Sequence, residues 1–380
     1  MTRRRQEITE KVPTTPRKVV VYTDNLMTSN SARNTVTGES SSKELANSLA
    51  ETLNTALVIS TSFRFDPELN TLEILDPYNP RNNIQVKGIT DYKVSVKVFM
   101  LPTAVDVKNR PSTVYVKQAM ASVQRQLGAV KIDELVVSFA EISAQTPGGL
   151  NESSSVSSLT RPGTSQADSL LDQGRPLDSP GQAGISTIDD ANNDTSTTGS
   201  RTSNDDSEND MSRYLKVWRL LNRFKRSGDA SKIGISDVTK SQLEQLCQQS
   251  EIKPDIVQIR LNLNDPSDQS LDGELRAYAK EQGISVSAHA DEPVVLSDRT
   301  FQMLASDFKI NERFPTTEVA PQGYKMDFMR PRWVANYTVM QTKRGLVANR
   351  GYIAMASSDC VLDPNRISPR PKYSMFGGFL

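Results

Sequence analysis

The chain has 380 residues, of which 36% are hydrophobic, and its 45 basic and 45 acidic residues leave no net charge at pH 7. The length allows one large domain or two ordinary ones, and the low apolar fraction predicts that part of the chain lies outside any core. The charge balance argues against nucleic-acid and membrane-surface binding, and no run approaches the roughly 20 apolar residues that span a bilayer. Cys247 and Cys360 have no metal-ligand neighbours, so we expect no metal site and a reducing, cytoplasmic compartment.

Residues 18–142 alternate between strand and helix patterns, after a charged, proline-containing stretch, 1–17, that we expect to be a flexible arm. The motif Ser41-x-x-Glu44 is a capping box, which favours the start of an amphipathic helix. The predicted elements are a strand at 19–22, a helix at 43–54, a strand at 93–100, a helix at 116–127 and a strand at 135–137 that ends at Ser138.

Residues 143–210 differ in composition from the rest of the chain. They are rich in Ser, Thr, Asp, Asn, Gly and Pro and almost empty of aromatic residues. Such a segment buries too little apolar surface to offset the entropy lost on ordering, about 1–2 kcal/mol per residue for the backbone. Because the strand–helix alternation stops before this segment and resumes after it, we predict a long disordered insertion within one domain.

The alternation resumes over 211–356, and we predict a C-terminal tail over 357–380. The predicted helices lie at 214–224, 240–249, 271–279, 297–308 and 333–340, and the predicted strands at 233–236, 256–259, 284–288, 346–347 and 352–354. A second capping box, Thr239-x-x-Gln242, marks the start of the helix at 240–249. With the first part of the chain, about eight strands alternate with helices at a spacing of roughly 25 residues. We therefore predict an α/β fold of the (β/α)8 TIM-barrel type, degenerate and interrupted by the insertion.

Three short segments resemble the aldo-keto reductase family, whose members are barrels of this type. The segments are IGISD at 233–237, a Lys-Pro pair at 253–254 followed by Gln258, and KEQGISVSA at 280–288. The resemblance implies that Ser236, Asp237 and Gln258 stand where the family holds the nicotinamide amide. It also implies that His289 stands where an aromatic residue stacks on the nicotinamide ring, and that Arg350 stands near the cofactor-phosphate position.

Carbonyl reduction in that family needs a tyrosine acid, a lysine, an aspartate and a histidine. Lys97 matches the lysine, and Ser138 falls at the position of the histidine. Asp76 and Tyr78 have the wrong spacing for the aspartate and the tyrosine. We therefore expect no catalytic residues, and a vestigial pocket that includes Lys97 and for which NADPH is the candidate cofactor if any binds.

A second resemblance extends over 18–140 and 211–356. The segments YTDNL at 22–26, KVSVK at 93–97, Trp333, KRGL at 343–346 and RGYI at 350–353 resemble, in order and spacing, the regulatory (modifier) subunits of glutamate–cysteine ligases, a divergent branch of the reductases. This resemblance implies a non-catalytic chain that forms a heterodimer with the ligase catalytic subunit in glutathione biosynthesis. In that partner it implies more effective glutamate binding and weaker feedback inhibition by glutathione.

Two other functions stay open on the sequence. A reductase with rearranged catalytic groups requires a tyrosine acid near Lys97, and Tyr22, Tyr78 and Tyr92 are the candidates. A scaffold that senses a nicotinamide nucleotide without turnover requires Arg350, Gln258 and His289 to line one pocket.

The same residues also have purely structural interpretations. Lys97 fits a salt-bridged lysine at a strand end, and a lone histidine such as His289 fits a structural role as well as a functional one. Ser236 and Asp237 fit the capping of a strand and of the helix that follows.

Overall fold

The computed structural model describes residues 17–23, 25–27, 40–59, 62–75, 91–102, 112–128, 130–139, 204–261, 273–314, 324–326, 328–358 and 360–362. Contacts within the chain separate one unit, residues 1–146 and 206–380, from a second unit, residues 147–205. Residues 147–203 of the second unit lie outside the described residues. The predicted arm except Arg17, nearly all of the predicted insertion and most of the predicted tail lie outside them as well.

The described part of the chain alternates strands with helices. The strands are β1 (Arg17–Tyr22), β2 (Phe63–Asp66), β3 (Thr71–Leu75), β4 (Tyr92–Met100), β5 (Ile132–Phe139), β6 (Ala230–Ser236), β7 (Ile256–Arg260), β8 (Ser285–His289), β9 (Tyr324–Met326), β10 (Arg330–Gln341), β11 (Leu346–Ser358) and β12 (Cys360–Leu362). The helices are α1 (Ser41–Val58), α2 (Ser112–Leu127), α3 (Asn204–Ser227), α4 (Lys240–Gln249), α5 (Gly273–Glu281) and α6 (Asp298–Asp307), followed by a 3-10 helix, Ile310–Arg313. None of the helices described is long and apolar enough to cross a membrane.

Ten strands form one mixed sheet in the order β2-β3-β1-β11-β10-β4-β5-β6-β7-β8, and β9 pairs with β12. Strands β4 to β8 run parallel to one another. The long hairpin of β10 and β11 lies between β1 and β4, with β11 antiparallel to β1 and β10 antiparallel to β4. As a result, β1 runs opposite to the parallel strands.

The predicted α/β class is confirmed, and within it the strands are arranged differently from eight parallel strands in a ring. In the described residues the sheet is open, with β2 and β8 at its two ends. Parallel neighbours need a long crossover connection, whereas antiparallel neighbours need only a short turn. Only residues 342–345 join β10 to β11, and Gly345 takes the left-handed φ of 61° in this turn. These two strands therefore form a hairpin.

The helix predicted around 333–340 is wrong, because this segment is strand β10. Trp333, Val334, Tyr337 and Met340 have helical spacing, and this spacing suggested one apolar helix face. In the structure, neighbouring residues point to opposite faces of the sheet, and Trp333 and Val334 are both fully buried. A strand buried on both faces loses the apolar–polar alternation that distinguishes it from a helix.

The two predicted capping boxes have different outcomes. The motif Thr239-x-x-Gln242 forms a complete capping box at the start of α4. At the start of α1, Ser40 is the N-cap and no side chain caps the helix. The predicted box at Ser41 is wrong, because the Glu44 carboxylate instead accepts hydrogen bonds from β11.

Helix α3 begins at Asn204, although the sequence predicted disorder up to residue 210. The apolar stripe of this helix starts only near Met211, which is why the sequence placed the boundary there. The rest of the predicted disordered segment lies outside the described residues.

Helices cover both faces of the sheet. On one face, helices α2 to α5 pack on side chains such as Val96 and Val98 of β4, and Trp218 of α3 is fully buried among them. On the other face, helices α1 and α6 pack on side chains such as Tyr352 of β11. Because strand residues alternate between faces, Lys97 points away from the Val96 side and toward the face that carries α1 and α6.

Candidate functional site

Polar and charged side chains converge along the carboxyl-terminal halves of the parallel strands. The neighbours of Ser138 and Ser236 within their strands, β5 and β6, pack on the same face of the sheet as Val96. Because side chains alternate along a strand, both serines point to the opposite face, where Lys97 also points. The strand-end cluster consists of Lys97, Ser138, Ser236, Asp237, Arg260, His289 and Asp291. Sites of α/β proteins lie at this end of parallel strands.

Asp237 is the acceptor at the centre of this cluster, and its side chain is only 4% exposed. Its carboxylate accepts hydrogen bonds from the hydroxyls of Ser138 (3.1 Å) and Ser236 (2.8 Å). The same carboxylate faces Arg260 and His289, each at 3.1 Å. Burial alone would raise the pKa of the Asp237 carboxyl, but the hydrogen bond and charge of His289, with the charges of Arg260 and Lys97, lower it to about 2.

The backbone of Asp237 is part of this arrangement. Its φ is 60°, in the left-handed region that Asp tolerates better than most side chains. Its N–H donates to the backbone oxygen of Gln258 at 3.0 Å. The chain therefore turns sharply at the end of β6, and the turn brings the carboxylate back over the strand ends.

His289 lies between two carboxylates and is 8% exposed. Its Nε2 faces the Ser236 hydroxyl at 3.0 Å and Asp237 Oδ1 at 3.1 Å, and its Nδ1 lies 3.2 Å from Asp291 Oδ2. Burial alone would lower the pKa of His289, but hydrogen bonds with Asp237 and Asp291 outweigh this effect and raise the pKa. When the ring is neutral, Nδ1 accepts the backbone N–H of Asp291 at 3.2 Å and Nε2 donates toward Asp237, whereas the imidazolium donates from both nitrogens to the two carboxylates.

Lys97 forms an ion pair with Asp291, with 2.8 Å between Nζ and Oδ2, and its side chain is 11% exposed. The ammonium also lies 5.0 Å from the centre of the Phe99 ring. Burial lowers the pKa of Lys97 despite the opposing effect of Asp291. Burial has the opposite effect on a carboxyl and would raise the pKa of Asp291, but the hydrogen bond from His289 and the charge of Lys97 lower it.

Gln258 borders the cluster and has an unused acceptor. Its side-chain oxygen Oε1 is buried and has no hydrogen-bond partner, and Arg260 Nε is in the same state. A buried polar atom without a partner is energetically unfavourable. Gln258 Oε1 could therefore accept a hydrogen bond from the amide N–H of a ligand.

Arg350 lies in a second polar group, formed with Glu44 of α1 and Tyr352 of β11. Its guanidinium donates to Glu44 Oε2 at 2.7 Å, and the Tyr352 hydroxyl donates to the same oxygen at 2.9 Å. Burial and the neighbouring Glu44 raise the pKa of the Tyr352 hydroxyl, so it is a weaker acid than a free tyrosine. We name Glu44, Arg350 and Tyr352 the helix-start group.

Tyr22 and Tyr92, the two sequence candidates for a tyrosine acid that the structure describes, both point away from Lys97. The Tyr22 hydroxyl donates to Glu73, and Tyr22 packs on the face of the sheet opposite to Lys97. Tyr92 is five positions before Lys97 in β4, so the two side chains point to opposite faces. Asp76 and Tyr78 lie outside the described residues.

The predicted cofactor residues are thus split between two places. Lys97, Ser236, Asp237 and His289 come together in the strand-end cluster, whereas Arg350 belongs to the helix-start group. At the amide position Gln258 Oε1 fits a carboxamide donor, but the Asp237 carboxylate is already engaged by four donors. Across the described residues, no group of three or more His, Cys, Asp and Glu side chains is arranged to hold a metal ion.

Sequence reasoning missed Arg260 and Asp291. Arg260 is two residues after Gln258 in β7, and this spacing puts both side chains on one face. Asp291 is the second residue after β8, and an acidic residue so close to a strand end was available as a signal.

Comparison with known proteins assigns the class. The model of the aldo/keto reductase family matches residues 86–291, a range that includes β4 to β8 and therefore every residue of the strand-end cluster. The chain belongs to the aldo/keto reductase family.

Individual relatives are more specific than the family match. The chain is 32% identical over 139 residues to the glutamate–cysteine ligase regulatory subunit of Mus musculus, covering 37% of this chain and 45% of the relative. It is 20% identical over 301 residues to a putative glutamate–cysteine ligase regulatory subunit of Schizosaccharomyces pombe, covering 78% of this chain and 83% of the relative. The match thus spans less than half the length of the mouse protein.

Among solved structures, an aldo/keto reductase from Brucella melitensis matches with a TM-score of 0.25 and 16% identity. It covers 52% of this chain and 48% of the other. A TM-score this low adds nothing to the description of the fold.

Proposed function

We propose that this chain is a regulatory subunit that binds the catalytic subunit of glutamate–cysteine ligase. The observation that carries the proposal is the 32% identity, over 139 residues, to a regulatory subunit of that enzyme. In this proposal the two chains form a cytoplasmic heterodimer in glutathione biosynthesis. The chain increases the effective affinity of its partner for glutamate and weakens feedback inhibition by glutathione.

Such regulation has a defined physical requirement. A bound subunit shifts a conformational equilibrium only by the difference between its affinities for the two states of the partner. The regulatory chain must therefore bind the active state of the catalytic subunit more tightly than the inhibited state. By linkage, glutathione must then weaken the binding of the two chains, while glutamate must strengthen it.

The strand-end cluster supports a non-catalytic role. The Lys97 ammonium, which would depress the pKa of a tyrosine acid in a reductase, is instead paired with Asp291. The Asp237 carboxylate is engaged by two hydroxyls and two cationic side chains. The Lys97 ammonium and the Asp237 carboxylate are thus held by other groups of the cluster, which favours a structural role over proton transfer to a carbonyl oxygen.

The proposal is tested by mixing the purified chain with the catalytic subunit and measuring mass by size-exclusion chromatography with light scattering. We expect one complex with the mass of a 1:1 heterodimer, and we expect glutathione to promote its dissociation. Separate elution of the two chains at micromolar concentrations would contradict the proposal.

A nicotinamide-nucleotide sensor is the second candidate, and the unpartnered, buried Gln258 Oε1 favours it. It is tested by calorimetric titration with NADPH. The pocket expected for a sensor does not include Arg350, which is held by Glu44 in the helix-start group. A sensor that uses the amide position alone would lose affinity in Gln258→Leu and keep it in Arg350→Met. The absence of any binding heat in the wild-type chain at two well-separated temperatures would exclude this candidate, because the binding enthalpy changes with temperature.

A further inference from the structure

The sheet has an exposed edge at β8. This strand pairs in parallel with β7 and has no second neighbour among the described strands. Residues 285–288 are all exposed, and Val286 has 38% of its surface exposed. The edge therefore presents both backbone and apolar surface to solvent.

The backbone groups that are available can be identified from the hydrogen bonds to β7. The Ser285 N–H donates to Asp255 at 2.9 Å, and the His289 carbonyl accepts from Leu261 at 2.8 Å. Odd-numbered residues of β8 thus bond toward β7, so the N–H and C=O groups of Val286 and Ala288 point away from the sheet. Two residues can therefore pair with an additional strand.

The opposite edge of the sheet, β2, is protected against such pairing. Arg64 and Asp66 put charges within β2, and Pro67 follows it directly. Charged side chains and proline are the usual means by which edge strands avoid pairing with other chains. Residues 285–288 of β8, by contrast, are Ser-Val-Ser-Ala and contain neither.

The charged side chains that line a groove beside β8 are all positive. Its volume is about 520 Å³, and it runs between β8 and helix α5. Arg276 and Lys280 are the charged side chains that line it, and both are exposed. An extended segment paired with β8 would lie beside these two cations, so acidic side chains in that segment would be favoured.

We propose that the edge of β8 binds an extended, acidic segment of the glutamate–cysteine ligase catalytic subunit, which adds to the sheet as a further strand. Backbone hydrogen bonds to Val286 and Ala288 provide the pairing, and Arg276 with Lys280 select for acidic side chains. This inference rests on the proposed function, because that function supplies the partner, and it names the surface by which the partner is bound.

Charge reversal tests the inference. In Arg276→Glu/Lys280→Glu we expect the dissociation constant for the catalytic subunit to rise about tenfold or more, because like charges then face each other. The matched control is Arg219→Glu/Arg223→Glu, which reverses two exposed arginines at the same spacing on α3, away from the groove. The control should bind as the wild type does, and wild-type binding should weaken with added salt.

A backbone variant gives a second measurement. Val286→Pro removes one outward N–H and leaves the bonds to β7 in place, and proline is tolerated on edge strands. We expect this variant to fold and to bind the catalytic subunit more weakly. In the wild-type complex, hydrogen exchange should slow at the Val286 and Ala288 amides and change little at Ser285 and Ser287, which are already bonded.

The outcomes separate the two proposals. If the wild-type chain binds the catalytic subunit and the charge-reversal variant binds equally well, with no new protection at Val286 and Ala288, the β8 inference is overturned and the regulatory function stands. If the wild-type chain does not bind the catalytic subunit, the proposed function and the inference that rests on it both fail.

Discussion

The parallel strands β4 to β8 and the antiparallel part made by β1, β10 and β11 differ in how well the family resemblance describes them. The family match, 86–291, contains all five parallel strands. Every predicted site residue in that range lies in or beside the strand-end cluster. Arg350, the one predicted residue outside that range, is in the helix-start group instead. The predicted residues inside the matched range thus come together in one cluster, and the one outside it lies in a separate group.

The two polar groups also differ in burial. Asp237 is 4% exposed and touches two cationic side chains, whereas Arg350 and Glu44 are 36% and 22% exposed. A charge left unpaired in the interior destabilises a protein far more than one that water can reach. The free energy of unfolding should therefore depend strongly on the first group and weakly on the second.

The largest effect is expected from Asp237→Asn. Asparagine tolerates the left-handed backbone, so this change removes the charge without new backbone strain. Arg260 and His289 would lose their buried counter-ion, and we expect the free energy of unfolding to fall by about 3 kcal/mol. Urea unfolding measures this value, and a loss below about 1 kcal/mol would show that the cluster does not depend on this carboxylate.

An intermediate effect is expected from pH. Because the pKa of His289 is raised in the folded chain, its contribution to stability is complete below the unfolded pKa, about 6.5, and is lost as pH rises through the folded pKa. Asp237, with a folded pKa of about 2 against an ordinary value of 3.8, contributes stability above pH 3.8 that is lost as the pH falls toward 2. The free energy of unfolding should therefore be highest between about pH 3.8 and about pH 6.5.

His289→Gln tests the alkaline side of this window. Glutamine cannot titrate, so the loss of stability between neutral and alkaline pH should be smaller in the variant than in the wild type. Urea unfolding at a series of pH values compares the two chains. Parallel curves would mean that His289 does not titrate differently in the folded and unfolded states.

The smallest effect is expected from Arg350→Met. The ion pair with Glu44 is partly exposed, and the methionine keeps the apolar part of the side chain, so the loss should be about 0.5–1 kcal/mol. Thermal or urea unfolding beside Asp237→Asn gives the comparison directly. If Arg350→Met destabilises the chain as much as Asp237→Asn, the contrast between the two groups is wrong.

Local sequence signals predicted the parallel strands and part of their site. The strand that stops at Ser236 and Asp237, and the capping box at Thr239, depend on neighbours within a few residues. The hairpin of β10 and β11 depends instead on pairing with β1, more than 300 positions away in the chain, for which no local pattern exists. The partners of Glu44 were hidden for the same reason, since Arg350 reaches it only through this pairing.

The most direct test is steady-state kinetics of the glutamate–cysteine ligase catalytic subunit, with and without this chain, across glutamate and glutathione concentrations. We expect a lower KM for glutamate and a higher inhibition constant for glutathione when the chain is present, with no oxidation of NADPH by the chain alone on carbonyl substrates. Unchanged kinetics together with carbonyl reduction by the isolated chain would contradict the regulatory function and make this chain an enzyme in its own right.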